Sequence, residues 1–178
     1  MSAELERAKV RYMTCRTDSY AVAAANLRAA VAVPFRFTDW SGRALLAISE
    51  QWGAERHPDS SWEWADIIRH YRREPEWLPI VIWIPDGRGE RLGGLALGTT
   101  GANSVTVQFL EGDPRGDCPL KGKRALMAFE VASCYAQARG KTELRVRPLN
   151  TSLVGLYAGL GFTQVSPRNE ESYFRKEV

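Results

Sequence analysis

A glycine flanked by basic residues precedes a predicted helix in the segment PLKGKRALM, residues 119–127. The first turn of a helix presents free backbone N–H groups and the positive end of the helix dipole, and a glycine lets a phosphate approach the backbone closely. Lys121, Lys123 and Arg124 would add positive charge beside Gly122. The segment therefore predicts a site for a phosphate-like anion, although these residues alone fit a solvated basic helix start nearly as well.

The segment LNTSLVGLYAGLGF, residues 149–162, holds a longer and more specific pattern. An Asn is followed by an apolar residue three positions on, by Leu-Tyr six and seven positions on, and by Gly-Phe eleven and twelve positions on. The string resembles the last motif of the Gcn5-related (GNAT) N-acyltransferases. Every motif position matches: Asn150, Leu153, Leu156, Tyr157, Gly161 and Phe162. The resemblance extends over residues 104–165, is vaguer over 9–32 and is undetectable over 33–77.

The resemblance implies a binding site for acetyl-CoA as co-substrate. In the GNAT family a bulged strand splays from its parallel neighbour, and the pantetheine arm lies in the gap; here those strands would be 104–111 and 142–147. The pyrophosphate would meet backbone N–H groups at the following helix start. The residues that the resemblance assigns to the co-substrate are Leu110, Lys121, Gly122, Lys123, Arg124, Ala125 and Asn150. Asn150 is also a candidate N-cap for the short helix after it.

The phosphate-binding loop departs from the family pattern, which reads Gln/Arg-x-x-Gly-x-Gly/Ala. If Ala125 takes the last position, Lys123 stands at the central glycine and Leu120 at the Gln/Arg. A lysine can still donate its N–H at such a position when its φ is negative, whereas a position that needs positive φ would be strained. We therefore expect an atypical pyrophosphate loop.

The resemblance also implies two catalytic roles. Tyr157 corresponds to the general acid, because a phenol with a pKa of about 10 is protonated at neutral pH and can donate to a leaving thiolate. Glu111 ends the strand where many GNAT enzymes place the carboxylate that takes the amine proton, and Asp113 is the reserve candidate. The alternatives are a tyrosine that only packs the short helix and a glutamate that is a surface charge at a turn.

The elements that must position these residues follow from the periodicity of apolar side chains. The order is strand, helices, three strands, helix, strand, helix, two strands, which predicts an α+β fold: a mixed, mostly antiparallel sheet with helices on both faces and a splayed central pair. Asp18 is a candidate N-cap of the first helix, and Ser60 or Ser61 of the third. The predicted ranges are strands 9–16, 78–85, 91–100, 104–111, 142–148, 161–165 and 172–176, and helices 19–32, 41–51, 61–73, 121–139 and 150–159.

Length and composition indicate one globular domain, residues 1–178, because the chain has 178 residues with 44% hydrophobic and 25% charged side chains. No apolar run is long enough to cross a bilayer, and the first residues lack the apolar core of a signal peptide, so we expect a cytoplasmic protein without a membrane partner. Three cysteines and two histidines at irregular spacing predict no metal site. Residues 115–147 are locally basic.

Three functions are compatible with these patterns. The first is transfer of an acetyl or other short acyl group from CoA to a primary amine, by direct attack through a tetrahedral intermediate. The second is acetylation of a macromolecule, such as aminoacyl-tRNA or a protein, which the basic stretch 115–147 suggests. The third is a non-catalytic binding module, suggested by the altered loop. An acceptor pocket would come from residues 33–77 and 166–171, where Trp40, Trp52, Trp62 and Trp64 line either a pocket or the core. A homodimer is left open.

Overall fold

The protein forms a seven-stranded sheet with helices on both faces. A computed structural model describes residues 3–58, 61–147 and 151–178. The helices are α1 (Ala3–Leu27), α2 (Gly42–Ala47), α3 (Trp64–Tyr71), α4 (Arg124–Ala138) and α5 (Val154–Gly159). The strands are β1 (Arg36–Thr38), β2 (Leu78–Asp86), β3 (Gly89–Thr100), β4 (Ser104–Gly112), β5 (Glu143–Val146), β6 (Thr163–Val165) and β7 (Tyr173–Glu177). A π-helical turn (Ile48–Trp52) and a 3₁₀ turn (Gly53–Glu55) extend α2, and a second 3₁₀ turn (Thr151–Leu153) precedes α5.

The strands lie in the order β1-β2-β3-β4-β5-β7-β6, and only the β4–β5 pair is parallel. The three consecutive strands β2, β3 and β4 form the expected antiparallel meander. The crossover from β4 through α4 to β5 supplies the parallel pair, because a helix between two strands returns the chain to the same end of the sheet. The predicted α+β fold class is confirmed.

The prediction of a first strand at residues 9–16 is wrong, because this segment lies inside α1. Tyr12, Arg16, Tyr20, Ala23 and Leu27 are buried at helical spacing. The weak alternation of KVRYMTCR is therefore outweighed by one continuous face that packs against α4. The edge strand is instead β1, which pairs with β2.

Two other expected helix starts are also wrong. Asp18 lies within α1 and cannot be its N-cap. The helix α3 begins at Trp64 with Glu63 at the N-cap position, so Ser61 does not cap it, while Ser60 lies outside the described residues. The sequence placed both starts from polar residues with good capping chemistry, but the buried face of each helix decides where the chain coils.

The two faces of the sheet carry separate hydrophobic clusters. The first face, covered by α1 and α4, includes Ile80, Ile82 and Val107. The second face, covered by α2, its π-helical turn and α3, includes Trp52, Trp64 and Leu95. The confirmed placement of helices on both faces leaves the two ends of the sheet as the places where a cleft can open.

A bulge and a splay interrupt the sheet at the middle of β4. The β3–β4 register passes from Gly98–Val107 to Leu97–Phe109, so Gln108 is the extra residue on β4. Val107 packs in the first cluster and Phe109 in the second, which a regular strand would not allow for residues two apart. The parallel pairing of β4 with β5 ends at Val107–Val146, whereas β4 runs on to Gly112. The expected splayed pair is confirmed.

An ion-pair cluster of Glu90 with Arg36 and Arg43, beside the edge strand β1, predicts that the fold loses stability in acid. Hydrogen bonds from Arg36 on β1, opposed by burial and reinforced by Arg43 on α2, lower the pKa of Glu90 from 4.5 to about 2. A lowered pKa in the folded state stabilises the protein above the unfolded value, and this contribution is lost as the pH falls from 4.5 towards 2. We expect Glu90→Gln to destabilise the fold by about 1 kcal/mol at pH 7 and by about half of that or less at pH 3.

Urea unfolding of both proteins at the two pH values measures this difference. The matched control is Glu170→Gln, an exposed carboxylate in the loop before β7, which should change the free energy of unfolding by the same small amount at both pH values. A Glu90→Gln effect that does not shrink at pH 3 would contradict the assignment.

Candidate active-site cleft

The splay between β4 and β5 opens into a cleft of about 570 Å³. Its walls are β4 from Val107 onwards, the loop and first turn of α4, the end of β5, and α5. The 3₁₀ turn after α2 and the segment that follows it close the far side with Glu55, His57 and Trp62. A cleft of this size at a sheet interruption is the usual form of a small-molecule site.

Most of the sequence-predicted residues meet at this cleft. The described members that line it are Leu110, Glu111, Lys121, Gly122, Arg124, Ala125 and Tyr157. Lys123 is exposed and does not line it. Asn150, predicted as a co-substrate ligand and helix cap, lies outside the described residues.

The first turn of α4 points free backbone donors at the cleft. Lys123 occupies the N-cap position and makes no side-chain capping bond, and the first backbone bond of the helix runs from the Met127 N–H to the Lys123 carbonyl. The N–H groups of Arg124, Ala125 and Leu126 therefore have no acceptor within the helix. The sequence left open whether Lys123 stands at a position that needs a positive φ. In the structure Gly122 takes the positive φ, at 79°, and Lys123 has a φ of −109°. The lysine is thus unstrained.

The Arg124 side chain folds over the backbone of Gly112. A Cβ at Gly112 would lie 2.2 Å from Arg124 Cδ, so only glycine leaves room for this conformation. The Nε and Nη2 atoms of Arg124 are buried without a hydrogen-bond partner among the described residues. Leaving such donors unsatisfied is costly, and a bound anion at the cleft would satisfy them. The arrangement fits a phosphate group.

Tyr157 lies deeper in the same cleft, on α5. Its ring is 4% exposed and packs against Phe129, Phe162 and Phe174, with centroid distances of 5.6, 6.2 and 5.8 Å. Its hydroxyl makes no hydrogen bond to a described residue, and burial raises the pKa of this phenol above 10. The aromatic ring cluster fixes the ring while the hydroxyl keeps its proton available.

Glu111 is buried and its carboxylate accepts four hydrogen bonds. Arg56 Nε donates to Oε1 and Arg56 Nη2 to Oε2, both at 2.8 Å. The Trp62 backbone N–H and the Trp64 indole N–H donate to Oε2 at 3.1 and 2.7 Å. Oε1 therefore accepts one hydrogen bond and Oε2 accepts three, and all four donors belong to the protein.

Asp113, the reserve candidate, has no exposed side-chain surface and binds Arg91 and Arg115. Burial alone would raise the pKa of Asp113, but the two guanidinium groups outweigh it and the pKa is lowered. Its role in the structure is to fix the loop after β4, and a carboxyl group with a lowered pKa is a weak proton acceptor.

Within the predicted acceptor-pocket range 33–77 the sequence singled out only tryptophans, and the structure brings Glu55, His57 and Trp62 of this range to the cleft. Arg56, which binds both Glu111 and the Trp62 carbonyl, had no recognisable signal, because its partner is 55 positions away. Of the four tryptophans left open between pocket and core, Trp52 and Trp64 are buried in the second cluster. Trp40 stacks on Trp64 with 6.2 Å between the ring centroids, and Trp62 lines the cleft.

Some basic side chains of the stretch 115–147 are paired within the molecule. Arg115 pairs with Asp113, Arg139 with Glu76 and Arg145 with Glu143, and Lys141 Nζ donates to two backbone carbonyls. The stretch therefore presents fewer free charges than its composition suggests.

Within residues 3–58, 61–147 and 151–178, no cluster of three or more His, Cys, Asp or Glu side chains could hold a metal ion. None of the helices there is both long enough and apolar enough to span a bilayer.

Solved structures share this architecture at low sequence identity. Ard1 from Thermoplasma volcanium matches with a TM-score of 0.59 and 13% identity, over 82% of this chain and 99% of that chain. The PaiA N-acetyltransferase from Thermoplasma acidophilum, solved in complex with coenzyme A, matches with a TM-score of 0.51 and 16% identity, over 82% and 100%. An acetyltransferase of the GNAT family from Staphylococcus aureus Mu50 matches with 0.51 and 9%, over 81% and 99%.

Sequence comparison alone finds no relative: no protein-family model matches the chain, and neither does any curated protein. The likeness therefore rests on three-dimensional structure, namely the meander, the bulged and splayed β4, and the crossover through α4 to β5. This chain has the fold of the PaiA N-acetyltransferase and of the GNAT-family acetyltransferase that it matches.

Proposed function

We propose that the protein is an acyl-CoA-dependent N-acyltransferase that moves an acetyl or short acyl group to a primary amine. The observation that carries the proposal is the pairing of an unsatisfied Arg124 guanidinium and an uncapped α4 N-terminus at one part of the cleft with Tyr157 deeper inside it. One of the structures with this fold was solved with coenzyme A.

Arg124 and the α4 amides would hold the pyrophosphate. The free N–H groups of Arg124, Ala125 and Leu126 and the helix dipole all favour a negative charge at this position. The guanidinium adds charge-assisted hydrogen bonds, which are the strongest kind in a partly buried site. The exposed Lys121 adds positive charge at the cleft mouth.

The splayed strands would hold the rest of the co-substrate. Beyond Val107, β4 makes no ladder pair on its β5 side with a described residue, so a backbone group at Phe109 or Leu110 can hydrogen-bond to an amide of the pantetheine arm. Bound acetyl-CoA supplies a thioester acyl group and a thiolate leaving group. Fixing this arm beside the amine lowers the entropic part of the barrier.

Tyr157 would donate a hydrogen bond to the leaving sulfur. A phenol with a raised pKa holds its proton at neutral pH, so the donor is present in the enzyme that binds substrate. Because a thiol has a pKa of about 8.5, the thiolate is less basic than the phenolate, and stabilisation by hydrogen bonding outweighs complete proton transfer. The proton that ends on the thiol comes finally from the amine.

Glu111 would hold the cleft wall rather than receive the amine proton. Its four hydrogen bonds all come from Arg56, Trp62 and Trp64, so it holds these three residues against β4. The sequence-based prediction that Glu111 is the proton acceptor stays a prediction. The two roles predict a different dependence of kcat/KM on pH.

We expect Arg124→Gln to weaken acetyl-CoA binding about tenfold or more, because charged hydrogen bonds contribute about 1.5–3 kcal/mol each. Isothermal calorimetry with acetyl-CoA measures this change. The matched control is Lys123→Gln, which removes a neighbouring positive charge that does not line the cleft, and it should change affinity by less than about threefold. Equal losses in both variants would mean a diffuse electrostatic effect and no specific contact by Arg124.

The proposed reaction is tested by release of free CoA thiol in the presence of amine pools, corrected for hydrolysis without amine. Amine-dependent release supports the proposal, and no acetyl-CoA binding at millimolar concentration would overturn it in favour of a non-catalytic module. The ion pairs of Arg115, Arg139 and Arg145 within the protein reduce the free positive charge of the basic stretch, which favours a small amine over a nucleic acid as acceptor.

A further inference from the structure

A second cavity, of about 590 Å³, lies beside the start of β4. It is bounded by the first turns of α1, by the end of α3 with the loop after it, and by the end of β3. The residues that line it are Ala8, Tyr12, His70, Tyr71, Glu74, Pro75, Glu76, Trp77, Thr99, Thr100 and Gln108. Of these residues, Gln108 also lines the active-site cleft, and the others do not.

Gln108 connects the two cavities, because it lines both of them. It is the bulged residue of β4, adjacent to Val107, where the pairing with β5 ends. Its Nε2 donates to Thr99 Oγ1 at 2.9 Å, so the amide is oriented and its Oε1 is left as the acceptor. A carbonyl oxygen at this junction suits the N–H of an amine.

The walls of the second cavity suit a cation with an apolar body. Tyr71, His70 and Trp77 contribute aromatic surface, and Glu74 and Glu76 contribute carboxylates. Glu76 pairs with Arg139, whereas Glu74 makes no ion pair within the described residues. The Tyr12 ring already makes a cation–π contact, because the Arg139 guanidinium lies 4.5 Å from its centroid. Aromatic faces and an unpaired carboxylate together favour an ammonium group.

We propose that this second cavity is the acceptor site and that its ligand class is a primary ammonium on an aromatic or apolar frame. The inference rests on the proposed acyl transfer. The amine reaches the thioester past Gln108, whose Oε1 accepts a hydrogen bond from it and positions its lone pair. The amine nitrogen then bonds to the acyl carbon and the C–S bond breaks. Of the two protons that the ammonium loses, one ends on the thiol and one passes to water.

The direct test is calorimetry of 2-phenylethylamine binding. It is measured first with the free protein and then with the protein in the presence of CoA, which carries no acyl group to transfer. The matched probes are 2-phenylethanol, which lacks the charge, and methylamine, which lacks the frame. We expect saturable binding of 2-phenylethylamine and at least tenfold weaker binding of both matched probes. Equal affinity for the amine and the alcohol would overturn the inference.

Two variants connect the cavity to the reaction. Glu74→Gln should raise the KM for 2-phenylethylamine about threefold, as expected for an exposed charge, with kcat unchanged. Gln108→Leu should lower kcat/KM for the amine about tenfold while the affinity for acetyl-CoA stays the same. The matched control is Asp66→Asn on α3, whose exposed carboxylate pairs with Arg69 and lines neither cavity; it should change nothing.

The outcomes separate this inference from the proposed function. Acetyl-CoA binding without saturable amine binding, or a Glu74→Gln variant that behaves like Asp66→Asn, would overturn the acceptor site and leave the co-substrate site intact. Saturable amine binding without any acetyl-CoA binding would overturn the proposed transferase while the cation site stands. Because Glu74 is exposed, its variant tests the site even if Gln108→Leu folds poorly.

Discussion

Tyr157→Phe is expected to lower kcat about 100-fold or more and to leave the affinity for acetyl-CoA nearly unchanged. The substitution removes only the hydroxyl, and the ring keeps its contacts with Phe129, Phe162 and Phe174. The hydrogen bond to the leaving sulfur forms as negative charge develops there, so its loss is felt in the transition state and not in binding. Steady-state kinetics at saturating acetyl-CoA, together with calorimetry, measure the two effects.

The matched control is Tyr135→Phe, which makes the same chemical change in a buried tyrosine of α4. The Tyr135 hydroxyl is buried without a hydrogen-bond partner among the described residues, and burial raises its pKa to about 12. Tyr135 does not line the cleft, so we expect unchanged turnover and no loss of stability. Unchanged turnover in Tyr157→Phe as well would remove Tyr157 from the reaction.

The raised pKa of Tyr157 also predicts a pH profile. A group that must be protonated in order to act is lost only as the pH rises through its pKa. Because burial raises the pKa of Tyr157 above 10, its protonation should not limit kcat between pH 7 and pH 9. A decline of kcat in this range that disappears in Tyr157→Phe would contradict the assignment.

The sequence predicted best where local periodicity and tertiary packing agree. The strands predicted at 78–85, 91–100 and 104–111 form the meander β2–β4, and the structure confirms it. The prediction of a strand at residues 9–16 failed because their alternation is weak. The choice between strand and helix depends on the contact of α1 with α4. The Asn26–Glu130 hydrogen bond of this contact joins residues more than 100 positions apart. Periodicity cannot report such a contact.

The candidate site was predictable to the same extent. The motif around Tyr157 and the basic turn at Gly122 place residues that do line one cleft. The sequence could not show that Arg124 folds over Gly112, because this depends on the absence of a Cβ across a loop. Nor could it show that Arg56 donates hydrogen bonds to the Glu111 carboxylate, since a carboxylate at a strand end is compatible with many partners.

Glu111→Ala is expected to destabilise the fold by about 3 kcal/mol or more. The change leaves the Arg56 guanidinium, whose side chain is only 18% exposed, without its partner, and it leaves the indole N–H of the buried Trp64 without an acceptor. The double variant Arg56→Leu/Glu111→Leu should recover most of the loss, because an ion pair replaced by apolar side chains is often nearly neutral. Urea unfolding measures both, and the exposed Glu63→Gln in the same segment is the control, with an expected change within about 0.5 kcal/mol.

Glu111→Gln distinguishes a positioning role from a proton-accepting role. The amide keeps the shape and one acceptor oxygen, so Arg56, Trp62 and Trp64 can stay in place at a cost of about 2 kcal/mol in stability. If Glu111 only positions this wall, kcat/KM of the variant should follow the same pH dependence as the wild type at a lower level. If Glu111 accepts the amine proton, the variant should instead recover as the pH rises towards the pKa of the amine, because the free amine then needs no base. The four hydrogen bonds to Arg56, Trp62 and Trp64 lead us to expect parallel profiles.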